Sequence, residues 1–240
     1  MHKCEIHLSI FGLLPALIPV SAIAQTTPRE FPVSRANLCV TEGEIADGPN
    51  HRLTVDVEKM RAYVNLPTAQ TDVAQSEEAR FTYVGPTTHE SALGSGEIRR
   101  QFGLKLRAQN ACNLLYAMWR FEPESKIVVS IKINPGQRRS SECGNRGYQN
   151  IKPRRSVSMP ALRSGDSHSL QAMIEDEELR VRVDDRVVWE GSLGLDEESL
   201  RGPVGIRSDN VRLALDLSAG AAGMHPDFRL TCKTGPDASD

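Results

Sequence analysis

Long apolar runs are scarce in this chain. The one substantial run, Leu8 to Val20, follows Lys3 near the N-terminus. It is too short to cross a bilayer as a helix, and Pro15 and Pro19 would break one. Its length suits the core of a signal peptide, and Ala22-Ile23-Ala24 supplies small residues at the −3 and −1 positions. Cleavage is therefore expected after Ala24, leaving Gln25 first. Cys4 precedes the apolar core, so it is not placed for lipid attachment. No later stretch is apolar enough to span a membrane, and the mature chain is expected to be exported, to the periplasm or the exterior, without a membrane span.

Net charge is also nearly absent. With 29 Lys and Arg against 31 Asp and Glu, the formal charge is −2. A general nucleic-acid binder would carry a basic excess, so that class is excluded. Metal-binding patterns are missing as well. The cysteines show no CxxC spacing, and His51, His89, His168 and His225 show no ligand spacing. Asp184-Asp185 and Asp209-Asn210 could offer oxygens to calcium, but turn chemistry explains both pairs. No cofactor is expected, and calcium has no support. Gly-x-Ser-x-Gly, the elbow of many serine hydrolases, is absent too.

Four cysteines remain after cleavage: Cys39, Cys112, Cys143 and Cys232. An even count in an exported chain favours disulfides, with three connectivities open. Chain topology favours Cys39–Cys232, because domain termini tend to lie close together. It pairs Cys112 with Cys143 across a strand–loop–strand unit.

Long amphipathic helices are absent. What stands in their place is period-two alternation. Leu53, Val55 and Val57 alternate with polar residues, as do Leu179, Val181 and Val183, and Ile127, Val129, Ile131 and Ile133 alternate with Val128, Ser130 and Lys132. Asn113 to Phe121 is apolar almost throughout and reads as a central strand covered on both faces. Asp184-Asp185 reads as a two-residue hairpin turn, and Leu195 to Leu200 as one helical turn. Residues 25–35 read as a flexible leader, 67–79 as a loop, 36–235 as one domain and 236–240 as a disordered tail. Strands without helical crossovers predict an all-β, two-sheet antiparallel sandwich.

The segment from Asp166 to Leu217 adds a resemblance. Its stretches HSLQAMIEDEELRVRVDDRVVWEG and GPVGIRSDNVRLALDL resemble the C-terminal half of concanavalin A-like, laminin G-like jelly rolls. The motifs cover roughly a quarter of the chain. The resemblance implies a jelly-roll sandwich. That superfamily holds sugar-binding and adhesion modules, glycoside hydrolases, polysaccharide lyases and exported domains without assigned activity.

The hydrolase reading needs two carboxyl groups flanking the scissile bond. The Glu-x-Asp-x-x-Glu strand pattern of that superfamily is absent. The densest acidic runs, Glu175 to Glu178 and Asp196 to Glu198, fall on turns. Cations are better placed. If Leu104, Leu106 and Ala108 face the core, then Lys105, Arg107 and Gln109 face away from it. Tyr116, Met118 and Arg120 share one face of the next strand, and Ser130 and Lys132 one face of the third. Coincidence of these faces would make a cationic strip with a tyrosine, fit for carboxylates or sulfates. The loop from Pro135 to Arg155 adds Arg146 and Tyr148 beside the expected Cys112–Cys143 bridge. Arg107, Gln109, Tyr116, Arg120, Lys132, Arg146 and Tyr148 are therefore the candidate ligand-binding residues.

The reading that results is a non-catalytic, exported binding module for a carbohydrate, with anionic glycans included. Low aromatic content, 5% of residues, weighs against a site built mainly on sugar stacking. Two alternatives stay open: a lyase or glycoside hydrolase of the same fold, and a structural or adhesion domain that binds a protein.

Overall fold

The computed structural model describes residues 30–65, 75–175, 177–194, 200–220 and Cys232. The expected signal peptide, the helical turn at 195–199 and the tail at 236–240 lie outside the described residues.

Fourteen strands carry the fold: β1 Glu30–Val33, β2 Leu38–Glu42, β3 Ala46–Asp47, β4 Leu53–Val64, β5 Gln75–Pro86, β6 Arg100–Asn110, β7 Asn113–Glu122, β8 Lys126–Lys132, β9 Tyr148–Asn150, β10 Arg155–Ser156, β11 Ser167–Glu175, β12 Glu178–Val183, β13 Arg186–Ser192 and β14 Gly205–Gly220. One helical turn, α1, spans Ser140–Cys143. Every strand pairing is antiparallel.

The long strand β14 joins the two layers. Gly205 to Asp209 pairs with β6, whereas Val211 to Ala219 pairs with β5. The exchange of partners occurs at Asn210, whose backbone is left-handed (φ 57°), a conformation that asparagine tolerates better than most residues. Along its other edge β14 pairs with β4. The front layer thus runs β2-β4-β14-β6-β7-β8-β9, and the back layer runs β4-β14-β5-β11-β12-β13-β10.

The expected interior holds. Leu104, Ile131, Val181 and Leu213 are all buried in one shared core. Aromatic rings tie the layers together: Phe81 of the back layer packs on Phe102 at 5.2 Å and edge-on to Trp119 at 5.9 Å. Each such buried side chain contributes about 1.5–3 kcal/mol of apolar transfer energy. Both expected disulfides, Cys39–Cys232 and Cys112–Cys143, are formed. Asp184 and Asp185 both take positive φ (49° and 62°), the geometry of a primed hairpin turn.

Three boundaries depart from the sequence reading. Residues 30–33 form β1 against the end of β14 rather than a flexible leader. Residues 75–79 form the first part of β5 rather than a loop, because β11 and β14 pair with them on either side. The stretch 75–79 is polar and gives no apolar alternation to read, and 30–33 is only four residues long. Asp209-Asn210 is not a turn: β14 is continuous through both residues.

Candidate functional site

The front layer has two faces. One lines the core. The other carries side chains in rows that cross the strands. The first row reads Cys39, Tyr63, Gly205, Lys105, Tyr116, Ser130 and Asn150, from β2 to β9. The second reads Arg61, Arg207, Gly103, Met118 and Val128. The third holds Asp209, Gln101, Arg120 and Lys126. On the other side of the first row, Leu114, Lys132 and Tyr148 align. An outer sheet face normally meets water, yet Tyr63, Lys105, Tyr116, Lys132, Gln101 and Asp209 are all buried.

Glycines shape these rows. Gly205 stands between Tyr63 and Lys105, where a Cβ would come within 2.2 Å of the Ala62 carbonyl oxygen, and Lys105 Nζ lies 4.0 Å from the centre of the Tyr63 ring. That is a cation–π contact out of water, the setting in which such contacts are strongest. At Gly103 a Cβ would come within 2.6 Å of Met118 Sδ and 2.4 Å of the Ala117 carbonyl oxygen, so only glycine fits.

Asp209 organises the charged end. Arg61 Nη2 donates to Asp209 Oδ1 at 2.6 Å, while Arg207 Nε and Gln101 Nε2 donate to Oδ2 at 2.9 Å and 2.7 Å. Burial alone would raise the Asp209 pKa. The two guanidiniums of Arg207 and Arg61 overcome it and hold this carboxyl well below the usual carboxylate range. Burial would likewise lower Arg207, but the Asp209 charge keeps it fully protonated.

Arg207 also reaches the tyrosines. Its guanidinium lies 5.2 Å from the centre of the Tyr116 ring, and Nη1 donates to Tyr148 Oη at 3.5 Å. The Tyr116 and Tyr148 rings stack at 6.0 Å. Lys132 Nζ lies 5.0 Å from the Tyr148 ring centre and donates to the Ala111 carbonyl at 3.1 Å.

Two loops close over this face. The loop after β5 is fixed by the Asn210 carboxamide, which accepts from the Ser91 N–H at 2.8 Å and donates to the carbonyls of Ser91 and Arg99 at 2.9 Å and 3.0 Å. The loop after β8 enters from the opposite end. They meet where Gly94 abuts the Asn145 side chain: a Cβ at Gly94 would lie 2.9 Å from it. The β8–β9 side stays open, with Tyr148 38% exposed, Asn150 exposed and Val128 and Arg120 partly so.

Of the residues proposed from sequence, Tyr116, Arg120, Lys132 and Tyr148 do share this face. Arg107 and Gln109 do not continue it. Arg107 has φ 47°, and the pairing of β6 with β7 shifts between Leu106 and Asn110. This irregularity reverses the alternation, so Ala108 packs with Tyr63 and Tyr116 on the outer side instead of in the main core. Arg146 is also reassigned. It folds back onto α1, donating to the carbonyls of Glu142 and Cys143, so it holds the loop rather than lining the face.

Sequence reasoning missed Arg61, Gln101, Arg207 and Asp209. The alternation Ile206-Arg207-Ser208-Asp209 was the available signal. It was masked because Asp209-Asn210 has the composition of a turn. The Asp209 carboxylate, one of the oxygen groups noted for calcium, is engaged by two guanidiniums and one amide. Asp184 is engaged by His168 Nδ1 at 2.7 Å and the Ser169 N–H at 2.9 Å. Among the described residues no cluster of three or more His, Cys, Asp or Glu is placed to hold a metal ion. Glu175 and Glu178 lie at the β11–β12 turn and pair with Arg180 and Arg154. Asp196 to Glu198 lies outside the described residues.

No protein-family model matches this chain, and no curated protein matches it in sequence. Solved structures do match its shape. The carbohydrate binding module CBM66 from Bacillus subtilis superposes with a TM-score of 0.50 at 13% identity, over 75% of this chain and 91% of that one. The carbohydrate recognition domain of Emp46p, in its metal-free form, superposes with a TM-score of 0.53 at 9% identity, over 78% and 89%. The fold is a lectin-like β-sandwich. At these identities the likeness establishes architecture and transfers no binding residue.

Proposed function

We propose that this protein is a non-catalytic carbohydrate-binding module that takes its ligand on the outer face of the front layer. The observation that carries this reading is the Arg207 clamp: one guanidinium fixed by Asp209 and set against Tyr116 and Tyr148. Aromatic faces beside immobilised hydrogen-bonding groups suit sugars, which present apolar C–H faces and polar edges. Side chains already held in place lose little freedom on binding. The fold neighbours named for carbohydrate binding support the same class. Cations outnumber carboxylates on this face, which favours glycans bearing acid groups. The finer reading, a concanavalin A-like jelly roll, rests on the resemblance of Asp166 to Leu217. Two disulfides fit an exported protein in an oxidising compartment.

The test is retention on a panel of immobilised neutral and acidic polysaccharides. Binding to at least one, weakened by Tyr148→Ala, is expected. No retention on any of them rejects the proposal.

A further inference from the structure

Arg120 is held differently from the cations around it. Arg61 and Arg207 pair with Asp209, Arg99 with Glu97, and Lys126 with Glu124. Among the described residues Arg120 has no carboxylate in ion-pair contact, and its Nε is buried with no hydrogen-bond acceptor. Leaving such a donor unmet is unfavourable. Its neighbours add to the strain. Burial, then the like charges of Arg99 and Arg207, lower its pKa, and the carboxylates that oppose this, Glu97 and Glu124, are already engaged by Arg99 and Lys126.

Position matters as much as charge. Arg120 lies in the third row, between Gln101 and Lys126. Tyr116 is four residues away on the same strand, about 13 Å at the usual rise. A chain of sugars reaching from the Tyr116–Tyr148 pair toward Arg120 would therefore present more than one ring to the face. An anion arriving at the guanidinium of Arg120 would supply the counter-charge that Arg120 lacks and offset the repulsion from its two arginine neighbours. A planar carboxylate fits a guanidinium edge through two parallel N–H bonds.

We infer that Arg120 is the acid-recognising subsite of this face, and that the ligand is a uronate-containing glycan whose carboxylate sits against its guanidinium. This inference rests on the carbohydrate-binding reading of the same face and adds the ligand class and the residue that selects it.

Calorimetric titration with three probes tests it: an oligogalacturonate, the same oligosaccharide with its carboxyls reduced to alcohols, and a sulfated oligosaccharide of equal length. Wild type should prefer the oligogalacturonate over the reduced form by about 10- to 100-fold, as expected for a charge-assisted hydrogen bond. Arg120→Gln should remove that preference, chiefly by weakening binding of the oligogalacturonate. Arg120→Lys keeps charge and stem, reads out the bidentate fork, and should recover only part of the preference. Arg182→Gln, on the back layer, should change nothing. If Arg120→Gln binds the oligogalacturonate as wild type does, or if wild type binds acid and reduced forms equally, the subsite is overturned while the module reading stands. Tighter Arg120-dependent binding of the sulfated probe overturns the carboxylate assignment. Failure of wild type to bind any glycan, including the panel above, is the separate result that removes the module reading itself.

Discussion

The outer faces of the two layers handle charge in opposite ways. On the back layer, Arg80 pairs with Glu78, Arg52 with Asp216, and Arg154 with Glu178 and Glu190, in each case with at least one partner well exposed. Exposed pairs of this kind are worth little, about 0–1 kcal/mol each. On the front layer, Arg61 and Asp209 are buried outright, and Lys105 and Lys132 are buried against tyrosine rings. Desolvating a charge is expensive, and a buried pair does little more than offset that penalty. A sheet face needing only solubility would look like the back layer. The front layer maintains charges at a fixed geometry, which suits recognition more than stability.

That contrast can be broken experimentally. The largest effect is expected at the buried pair. Asp209→Asn should destabilise the protein by about 3–5 kcal/mol, because it removes the ion-pair partner of Arg207 and leaves Arg61 only Glu42, at 3.8 Å. Asp216→Asn on the back layer should cost less than about 1 kcal/mol. Urea unfolding of both variants at neutral pH checks the difference, and equal losses would remove the distinction between the faces. Acid behaviour should follow. The depressed Asp209 pKa contributes stability that is complete above the unfolded value of about 3.9 and disappears as pH falls through the lower folded value. The Asn variant should lack this acid limb.

Next is Gly103→Ala. Its Cβ would overlap Met118 and the Ala117 carbonyl, for an expected loss of about 1–3 kcal/mol by overpacking. Thermal unfolding with ligand titration would show whether the front face shifts with it.

Glu77 gives a test with the opposite sign. Its side chain points from β5 into the interior, accepts the Gly205 N–H at 3.2 Å and leaves Oε1 without a donor. Burial pushes this carboxyl well above its usual range, against the pull of the Gly205 amide and the Lys105 charge. A raised folded pKa means that the stability associated with Glu77 is complete below the unfolded value of about 4.3 and is lost as pH rises through the folded value. Glu77→Gln should therefore gain stability relative to wild type as pH rises above about 4.3. Paired urea titrations at acid and neutral pH measure this, and a difference independent of pH would show that Glu77 ionises freely in the fold.

The smallest stability effect belongs to Tyr148→Ala. The ring is partly exposed and closes the open side of the face, so unfolding should shift by less than about 1 kcal/mol, while glycan retention falls.

Much of the fold was legible because apolar alternation carries it. Leu53, Val55, Val129, Ile131, Leu179, Val181 and Val183 are buried as their pattern indicated, and Val57, Ile127 and Ile133 pack against the core partly buried. The strand β1 and the start of β5 were not legible: β1 is four residues long and is defined by its pairing with β14, and the polar start of β5 is defined by pairing with β11 and β14. On the face itself, Tyr116, Arg120 and Lys132 followed from alternation alone. Arg107 and Gln109 did not, because a single positive φ at Arg107 reverses the phase and no glycine or asparagine marks it. The Asp209 network was hidden for a related reason. Its members come from three strands distant in sequence, and only register brings Arg61, Gln101 and Arg207 around one carboxylate.

The central claim is that the front outer face, and not the back one, meets the ligand. Mapping of backbone amide NMR shifts during titration with an acidic oligosaccharide tests this directly. The account predicts perturbations concentrated at Arg120, Val128, Tyr148, Asn150 and Arg207. Perturbations concentrated at Arg154, Arg180 and Glu190, on the back layer, would contradict it.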